Sequence, residues 1–210
     1  MLYIQKQLED CLLGIWKVEE TYEELLSMLQ CKKWLNLFLT VKSAARIREM
    51  LATRVLLKEL LGEEKEICYF ASGKPYLADG SYQISISHTK GYVALVLNKK
   101  QTMGLDIEQR TDKIFRVRDR VVSSTEFICG DNQQVHLLLH WSAKEAMFKY
   151  LNAEGVDFRG NLHVSAFQPE DEGFFEVQET KTVQTQVFRA YYLVTDDFVL
   201  VCLLEKDIVR

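Results

Sequence analysis

The apolar positions along the chain predict two long helices, one in each half. The first should begin at Ser43, whose hydroxyl can cap the first turn, and end at Gly62, which favours a left-handed C-terminal cap. A second long helix is predicted over residues 133–151. A shorter helix follows a Thr21 cap and runs to about residue 30, and Ser123 or Ser124 can cap another short helix through Phe127. In the first long helix the apolar residues recur at helical spacing: Ile47, Leu51, Val55, Leu56 and Leu60.

Short apolar runs bounded by turn residues predict strands in both halves. They cover, in chain order, residues 12–18, 67–70, 82–87, 92–97, 102–108, 162–167, 174–179, 186–194 and 198–204. Each half therefore has one long helix and then strands that end in a hairpin. This order predicts an α+β fold of two similar, pseudo-twofold-related halves, residues 1–103 and 104–210, each with its long helix packed on a small antiparallel sheet. We expect a ligand site at their interface.

The composition is that of a soluble globular protein, with 48% hydrophobic and 27% charged residues among 210. The net charge of −4 gives no general reason to expect nucleic-acid binding. The N-terminus lacks the order of a signal peptide, and the longest apolar run is too short to span a bilayer. We therefore expect a cytoplasmic protein that contacts neither nucleic acid nor membrane. The cysteines lack a C-x-x-C pair, which is typical of free buried thiols: Cys11, Cys31, Cys68, Cys129 and Cys202.

An acidic pair on a predicted strand is the most informative polar pattern. Side chains alternate along a strand, so Asp106 and Glu108 share one face. Their oxygens can bind a hard cation such as Mg²⁺. Acidic residues also often end a strand simply because that end meets solvent. Gly104, just before the pair, would permit another backbone to approach this strand closely.

A second polar group lies on the second long helix. Trp141, Glu145 and Lys149 are spaced four residues apart and share one face. Glutamate followed by lysine at this spacing is common on helix surfaces, but a tryptophan in such a stripe is unusual. Together with the acidic pair, Glu145 and Lys149 indicate a magnesium site that handles a phosphate-bearing group.

Further polar residues are candidates for phosphate binding. Ser87 and His88 end a strand before a turn, and Lys74 lies in a tight Gly-Lys-Pro loop. Each of these also fits an ordinary hairpin end or turn. Arg48, on the first long helix, can reach an anion or remain a solvated charge.

Two other clusters have a plain structural interpretation beside a functional one. His136 and His140 are four residues apart, but no third ligand is suitably spaced for zinc, which favours a structural role.

In residues 110–122, five cationic side chains against two acidic ones give a local charge of +3. That segment predicts either an amphipathic surface helix or a docking surface for an acidic protein. The docking candidates are Lys113, Arg116, Arg118, Arg120 and Val122.

In their order along the chain, these segments resemble the 4'-phosphopantetheinyl transferases of the larger, monomeric surfactin-synthetase-activating (Sfp-like) type. The resemblance runs from about residue 48 to about residue 151. It follows G-K-P at 73–75, I-S-x-S-H at 84–88, G-x-D-I-E at 104–108, S-x-x-E at 123–126 and W-x-x-K-E-x-x-x-K at 141–149. Outside this range the chain matches in its expected elements rather than in motifs. Thr89 stands where the family often has serine, and it keeps a hydroxyl. Val122 stands where an aromatic residue is frequent, in a region that touches the carrier in the family, which leaves the choice of carrier open.

The resemblance implies transfer of 4'-phosphopantetheine from coenzyme A to a serine of an apo acyl or peptidyl carrier protein, with release of adenosine 3',5'-bisphosphate. It implies that Asp106, Glu108 and Glu145 bind Mg²⁺, with Mn²⁺ as an alternative. Glu145, Lys149 and Asp106 are the implied catalytic residues, and Glu145 is the implied base, directly or through water. The carrier is expected to dock on the basic segment of a monomeric enzyme. The implied coenzyme A contacts are Arg48, Lys74, Ser87, His88, Lys144 and Lys149.

Two other functions remain open from the sequence. A catalytically silent module would bind coenzyme A and carrier proteins without transfer, although all three candidate ligands and both lysines of the W-x-x-K-E segment are present. A metal-dependent phosphoesterase would use the same carboxylates, but it leaves residues 73–88 unexplained.

Overall fold

The computed structural model describes residues 1–30 and 41–205, and the chain divides into two compact units, Met1–Thr102 and Met103–Arg210. Both units combine helices with antiparallel sheets, so the predicted α+β class is confirmed. The pseudo-twofold relation between the halves stays a prediction. Within the described ranges, every helix is too short or too polar to cross a membrane.

The first unit has a four-stranded antiparallel sheet and one long helix. In chain order its elements are β1 (Leu2–Leu8), β2 (Cys11–Lys17), α1 (Tyr22–Ser27), α2 (Ala44–Leu61), β3 (Ile67–Tyr69), β4 (Pro75–Leu77), β5 (Gln83–Thr89) and β6 (Tyr92–Asn98). The sheet has the order β1-β2-β6-β5, and β3 pairs with β4 as a separate ribbon. Helix α2 packs on β2 and β6, and the apolar core of the unit lies beneath it.

The helix ends of the first unit follow the capping residues that the sequence predicted. The Ser43 hydroxyl accepts a hydrogen bond from the Arg46 amide at the start of α2. Gly62 ends that helix in the left-handed conformation, with φ of 73°. Thr21 caps α1 within a capping box, although α1 is shorter than expected.

The second unit has a five-stranded antiparallel sheet in the order β7-β11-β10-β9-β8. Its elements are β7 (Leu105–Gln109), a 3₁₀ helix (Asp112–Arg116), α3 (Arg118–Val121), α4 (Gln133–Leu151), β8 (Leu162–Val164), β9 (Glu172–Glu179), β10 (Val187–Val194) and β11 (Phe198–Glu205). Helix α4 has the predicted bounds and packs on the neighbouring strands β7 and β11. The candidate residues of the acidic pair and of the helix stripe therefore lie on elements that pack directly on each other.

Gly104 permits the close approach of α4 to the start of β7. A Cβ atom on this residue would lie 2.3 Å from the backbone oxygen of Ala146 and 2.9 Å from the Leu203 side chain. The Gly104 carbonyl also accepts a hydrogen bond from the Leu203 amide at 2.9 Å, which holds it beside β11. The predicted role of Gly104 in backbone approach is confirmed, and the approaching backbone is that of the W-x-x-K-E helix.

Three local predictions differ from the structure. Strand β1 was not predicted, because Lys6 interrupts the apolar residues on its more buried face. Residues 123–127 form a turn where a capped helix was expected. The basic segment forms a 3₁₀ helix and the four-residue α3, not one amphipathic helix, so its charges are not ordered along a single face.

The described cysteines are free thiols, as predicted. Cys11 and Cys202 are buried, whereas Cys68 and Cys129 are only half-buried, so full burial was wrong for the second pair. Cys31 lies outside the described residues.

Candidate active site

An ion pair ties the C-terminal part of α4 to β7. The Lys149 ammonium donates hydrogen bonds to Asp106 Oδ1 at 2.8 Å and to the Leu105 carbonyl at 3.1 Å. Asp106 is only 4% exposed, whereas the Lys149 side chain keeps 31% of its surface in solvent. The pair therefore presents a positive charge at the surface beside the acidic residues of β7.

A second hydrogen bond ties the middle of α4 to the same strand. The Trp141 indole donates to Glu108 Oε1 at 2.9 Å. Because Trp141 and Lys149 are two helical turns apart, α4 contacts β7 at both ends of one stripe. Glu145 lies midway along that stripe. The fold thus brings together four of the five site residues predicted for this unit: Asp106, Glu108, Glu145 and Lys149.

Burial and neighbouring charge raise the pKa of two carboxyl groups in this cluster. Burial is the largest cause for Glu145, and the charges of Asp106 and Glu108 add to it, so its pKa rises to about 7 against the opposing effect of Lys149. Burial and then Asp106 also raise the pKa of Glu108, while the Trp141 hydrogen bond and Lys149 lower it. The cluster holds three carboxyl groups and one lysine, which leaves an excess of negative charge.

The excess negative charge is the feature that a divalent cation would match. Carboxylate oxygens are donors that Mg²⁺ and Mn²⁺ prefer, and a cation would relieve the repulsion among Asp106, Glu108 and Glu145. In the part of the chain that the structure describes, no three His, Cys, Asp or Glu side chains are already arranged as a metal-binding group. The three carboxylates suit a divalent cation in the type of ligand atom and in charge. Their side chains would have to rotate towards one another to bind the same ion.

Lys144 lies inside the second unit. It is completely buried, and its ammonium donates to the Val121 carbonyl at 2.6 Å and to Glu126 Oε2 at 2.9 Å. Burial lowers the pKa of Lys144, and the Glu126 carboxylate opposes that shift. Contact between Lys144 and coenzyme A stays a prediction, and the observed partners give the lysine a part in holding α4.

Glu126 joins three segments of the second unit through one buried carboxylate. Besides the Lys144 ammonium, it accepts hydrogen bonds from the Ser123 amide at 2.7 Å and from the Val164 amide at 2.9 Å. These contacts link the 123–126 turn, α4 and β8. They also explain why the S-x-x-E segment is a turn, because the glutamate side chain is directed inward rather than along a helix surface.

The predicted coenzyme A contacts of the first unit lie on α2, on the β3–β4 turn and on β5. The Arg48 guanidinium donates twice to a backbone carbonyl before α1, at 2.8 and 3.1 Å. Lys74 is half-buried, and burial lowers its pKa. Ser87 is buried on β5, and the next residue, His88, is exposed with Nδ1 3.5 Å from a carboxylate oxygen of Glu49.

The two histidines of α4 lie in the core. His136 and His140 are fully buried, and both rings pack against Phe167. His136 Nδ1 accepts a hydrogen bond from the Cys129 amide at 2.8 Å. Burial, followed by the charges of His136 and Lys144, lowers the pKa of His140 to about 3, so its ring is neutral in the folded protein at neutral pH.

The basic segment contributes to a polar pocket that the sequence did not indicate. Arg118, from the start of α3, lines it together with Arg159, which lies in the loop after α4. Arg159 belongs to no recognisable motif, and the chain separates it from Arg118 by 41 positions, so only the fold could bring them together. Val122, a predicted docking residue, is only 9% exposed and packs in the core while it also lines this pocket.

Comparison with protein families gives one match. Residues 102–202 match the 4'-phosphopantetheinyl transferase superfamily. The matched segment contains β7 with its acidic pair and the whole of α4, and it therefore includes every residue of the carboxylate and lysine cluster. Comparison of the chain with curated proteins finds no match. The chain thus carries a 4'-phosphopantetheinyl transferase superfamily domain at residues 102–202.

Proposed function

We propose that this protein transfers the 4'-phosphopantetheine group of coenzyme A to a serine of an apo acyl or peptidyl carrier protein. The reaction would depend on Mg²⁺, with Mn²⁺ as an alternative, and would release adenosine 3',5'-bisphosphate. The superfamily match over residues 102–202 supports the transferase class. The holo-carrier synthase activity and the Sfp-like subtype rest on the ordered motifs from residue 73 to residue 149.

The cluster formed by β7 and α4 is the observation that carries the proposal. It places a lysine charge 2.8 Å from Asp106 and surrounds it with two further carboxyl groups, those of Glu108 and Glu145. A structural surface pair would not require a buried aspartate, nor a tryptophan that donates to the neighbouring glutamate at 2.9 Å. The arrangement suits a reaction in which negative charge moves between oxygen atoms.

The residues of the cluster have distinct proposed roles. Glu145 would take the proton of the carrier serine, directly or through a water molecule, as the serine oxygen bonds to the phosphorus that bears pantetheine. The bond from that phosphorus to the bridging oxygen breaks, and adenosine 3',5'-bisphosphate leaves. Lys149 would stabilise the charge that develops on the transferred group. Trp141 would hold Glu108 in place.

A metal ion has a place in this proposal through the same carboxylates. Asp106, Glu108 and Glu145 would hold it. When bound, it would neutralise part of the negative charge of the diphosphate.

Coenzyme A and carrier contacts are proposed from the resemblance. Arg48, Lys74, Ser87 and His88 are proposed to bind the adenosine 3'-phosphate and its surroundings, since a guanidinium, an ammonium and an imidazole all donate to phosphate oxygens. Carrier docking is proposed for the basic segment, at Lys113, Arg116, Arg118, Arg120 and Val122. We propose a monomer that acts in the cytoplasm, and the free thiols of the described cysteines support a reducing compartment.

The test is the mass gain of a purified apo carrier protein that is incubated with coenzyme A and Mg²⁺. Glu145→Gln and Asp106→Ala should each lower kcat/KM by about 100-fold or more, because each removes a charged group from the reacting site. Glu154→Gln is the matched control, since Glu154 is an exposed glutamate just beyond the same helix. Full activity of both site variants would refute the assignment.

The same assay separates the alternative functions. A protein that binds coenzyme A but labels no apo acyl or peptidyl carrier from a representative panel would be a binding module. Turnover of coenzyme A without any carrier would indicate a phosphoesterase. Transfer that needs carrier and stops when Mg²⁺ is removed by chelation would support the proposal.

A further inference from the structure

The loop after α4 is held in place by hydrogen bonds of its own backbone. The Asp157 carbonyl accepts one from the Asn161 amide at 2.7 Å, and the Asn161 side chain accepts one from the Asp157 amide at 3.0 Å. The Asn161 carbonyl accepts a third from the Thr180 amide at 2.8 Å, directly after β9. Phe158 lies inside this closed turn, so the backbone fixes where its side chain begins.

The Phe158 ring packs on two aromatic side chains of α4. Its centroid lies 5.8 Å from that of Trp141 and 5.6 Å from that of Phe148, and the ring planes are tilted by 40° and 46°. Trp141 and Phe148 are seven residues apart, which places them on one face of the helix. Phe158 therefore joins the loop to α4 at the face that carries Trp141.

The Trp141 indole connects this aromatic contact to the proposed metal site. Its Nε1–H donates to Glu108 Oε1 at 2.9 Å. Among the described residues, this is the one hydrogen bond that the Glu108 side chain makes. A carboxylate held at one oxygen keeps the other as a ligand atom, whereas without that bond the side chain can rotate among its torsional minima. The orientation of Glu108 thus depends on the position of the indole.

Core packing alone does not enclose the indole. Trp141 lies half-buried at the edge of the apolar core of the second unit, and so does Phe158. The ring of Phe158 adds a contact from the loop after α4. Aromatic pairs at this spacing favour the packed arrangement about two- to tenfold beyond the effect of buried area, so loss of the Phe158 ring would loosen the indole.

We infer that Phe158 is a positioning residue for Glu108: it holds the Trp141 indole, which orients the Glu108 carboxylate for a divalent cation. This inference rests on the proposed function and makes it more specific. It assigns a role to a residue that lies outside all five motifs and 50 positions after Glu108 in the chain. Groups that orient a metal ligand typically contribute about 10–100-fold to metal affinity or activity.

Binding of Mn²⁺ tests the inference without depending on turnover. Electron paramagnetic resonance measures the free ion as it is titrated into the protein, in the presence and in the absence of coenzyme A. Trp141→Phe, which keeps an aromatic ring but removes the indole donor, should raise the Kd of Mn²⁺ about tenfold. Phe158→Leu should raise it about fivefold, and Phe158→Tyr, which keeps the ring, should stay within about twofold of the wild type.

The double variant separates positioning from a simple loss of packing. If Phe158 acts through the indole, Phe158→Leu should add less than about twofold to the effect of Trp141→Phe on the Kd. Phe167→Leu is the matched control, because Phe167 is another half-buried phenylalanine on the same core and stacks on Phe175 rather than on Trp141. It should lower the urea midpoint to a similar extent as Phe158→Leu and leave the Kd unchanged.

The inference is wrong if folded Phe158→Leu binds Mn²⁺ as tightly as the wild type, or if the effects of the two substitutions multiply. Should Phe158→Leu fail to fold, Phe158→Met gives the same comparison. A wild-type protein that binds no Mn²⁺ would overturn the inference together with the metal assignment. Mn²⁺ binding that depends on Phe158, in a protein that labels no carrier, would support this inference and refute the proposed transfer.

Discussion

Gly104→Ala should separate α4 from β7 and disable the site without changing any reacting group. The added Cβ would lie 2.3 Å from the Ala146 backbone oxygen, 2.9 Å from the Leu203 side chain and 3.0 Å from the Ala146 carbonyl carbon. Ordinary contacts between such atoms are at least about 3.3 Å, so the helix must move by about 1 Å. The closest atom is backbone, so a change of rotamer cannot relieve the clash.

The displacement has two measurable consequences. Overpacking of this kind costs about 1–3 kcal/mol of unfolding free energy. A shift of about 1 Å would also lengthen the Lys149–Asp106 contact from 2.8 Å beyond hydrogen-bond distance. A misplacement of this size within a catalytic site can cost about 100-fold in rate. We therefore expect a modest loss of stability and a large loss of carrier labelling.

Urea unfolding and the carrier mass-shift assay measure the two effects, with Gly130→Ala as the control. A Cβ on Gly130 would meet no atom within 4 Å, and its backbone is not left-handed, so that variant should stay within about 0.5 kcal/mol of the wild type and keep its activity. If Gly104→Ala is as stable and active as the wild type, the approach of α4 to β7 does not depend on the missing side chain. That result would refute the reasoning.

Two further predictions concern buried groups of the second unit. Lys144→Met or Glu126→Gln alone should lower the unfolding free energy by about 3–5 kcal/mol, because each single change leaves one buried group without its partner. The double variant should recover most of that loss. If Lys144→Met instead keeps the stability of the wild type and raises the KM of coenzyme A, the predicted contact with the cosubstrate is supported. His140 is neutral in the fold with a pKa of about 3 but protonates near its ordinary value of 6.5 when unfolded. Between about pH 6.5 and pH 3 the unfolded chain therefore binds a proton at His140 that the folded chain does not bind. The unfolding free energy falls as the pH decreases through this range, by up to about 1.4 kcal/mol per pH unit. Urea titrations between pH 7 and pH 4 should show a shallower decline for His140→Phe, and parallel declines for variant and wild type would contradict the assignment.

Much of the fold could be predicted from local sequence because local interactions determine it. Ser43 and Gly62 bound α2 through a side-chain cap and a left-handed backbone, both of which depend on single residues. The hairpins β5–β6 and β10–β11 follow from apolar runs around tight connections. Strand β1 was missed because Lys6 interrupts its apolar face, and its pairing with β2 depends on a second stretch of chain.

The candidate site was predicted in part. Asp106, Glu108, Glu145 and Lys149 could be found because two fixed periods, that of a strand and that of a helix, place them on shared faces. Lys144 belongs to the same motif and was expected at coenzyme A, but its rotation on α4 directs it to Glu126 inside the unit. A motif gives the residue type and the spacing, whereas burial depends on what packs around the helix.

The sequence by itself determined the class of chemistry, through five ordered motifs and the spacing of carboxylates and lysines, and it determined the ends of the long helices. Only the tertiary structure decided which groups meet. It placed α4 on β7 at the distance that Gly104 allows, turned Glu126 inward, and brought Arg159 to Arg118 at one pocket. The physical reason is that helical and strand periodicity are local properties of the chain, whereas these contacts join residues 18–43 positions apart and depend on the packing of whole elements.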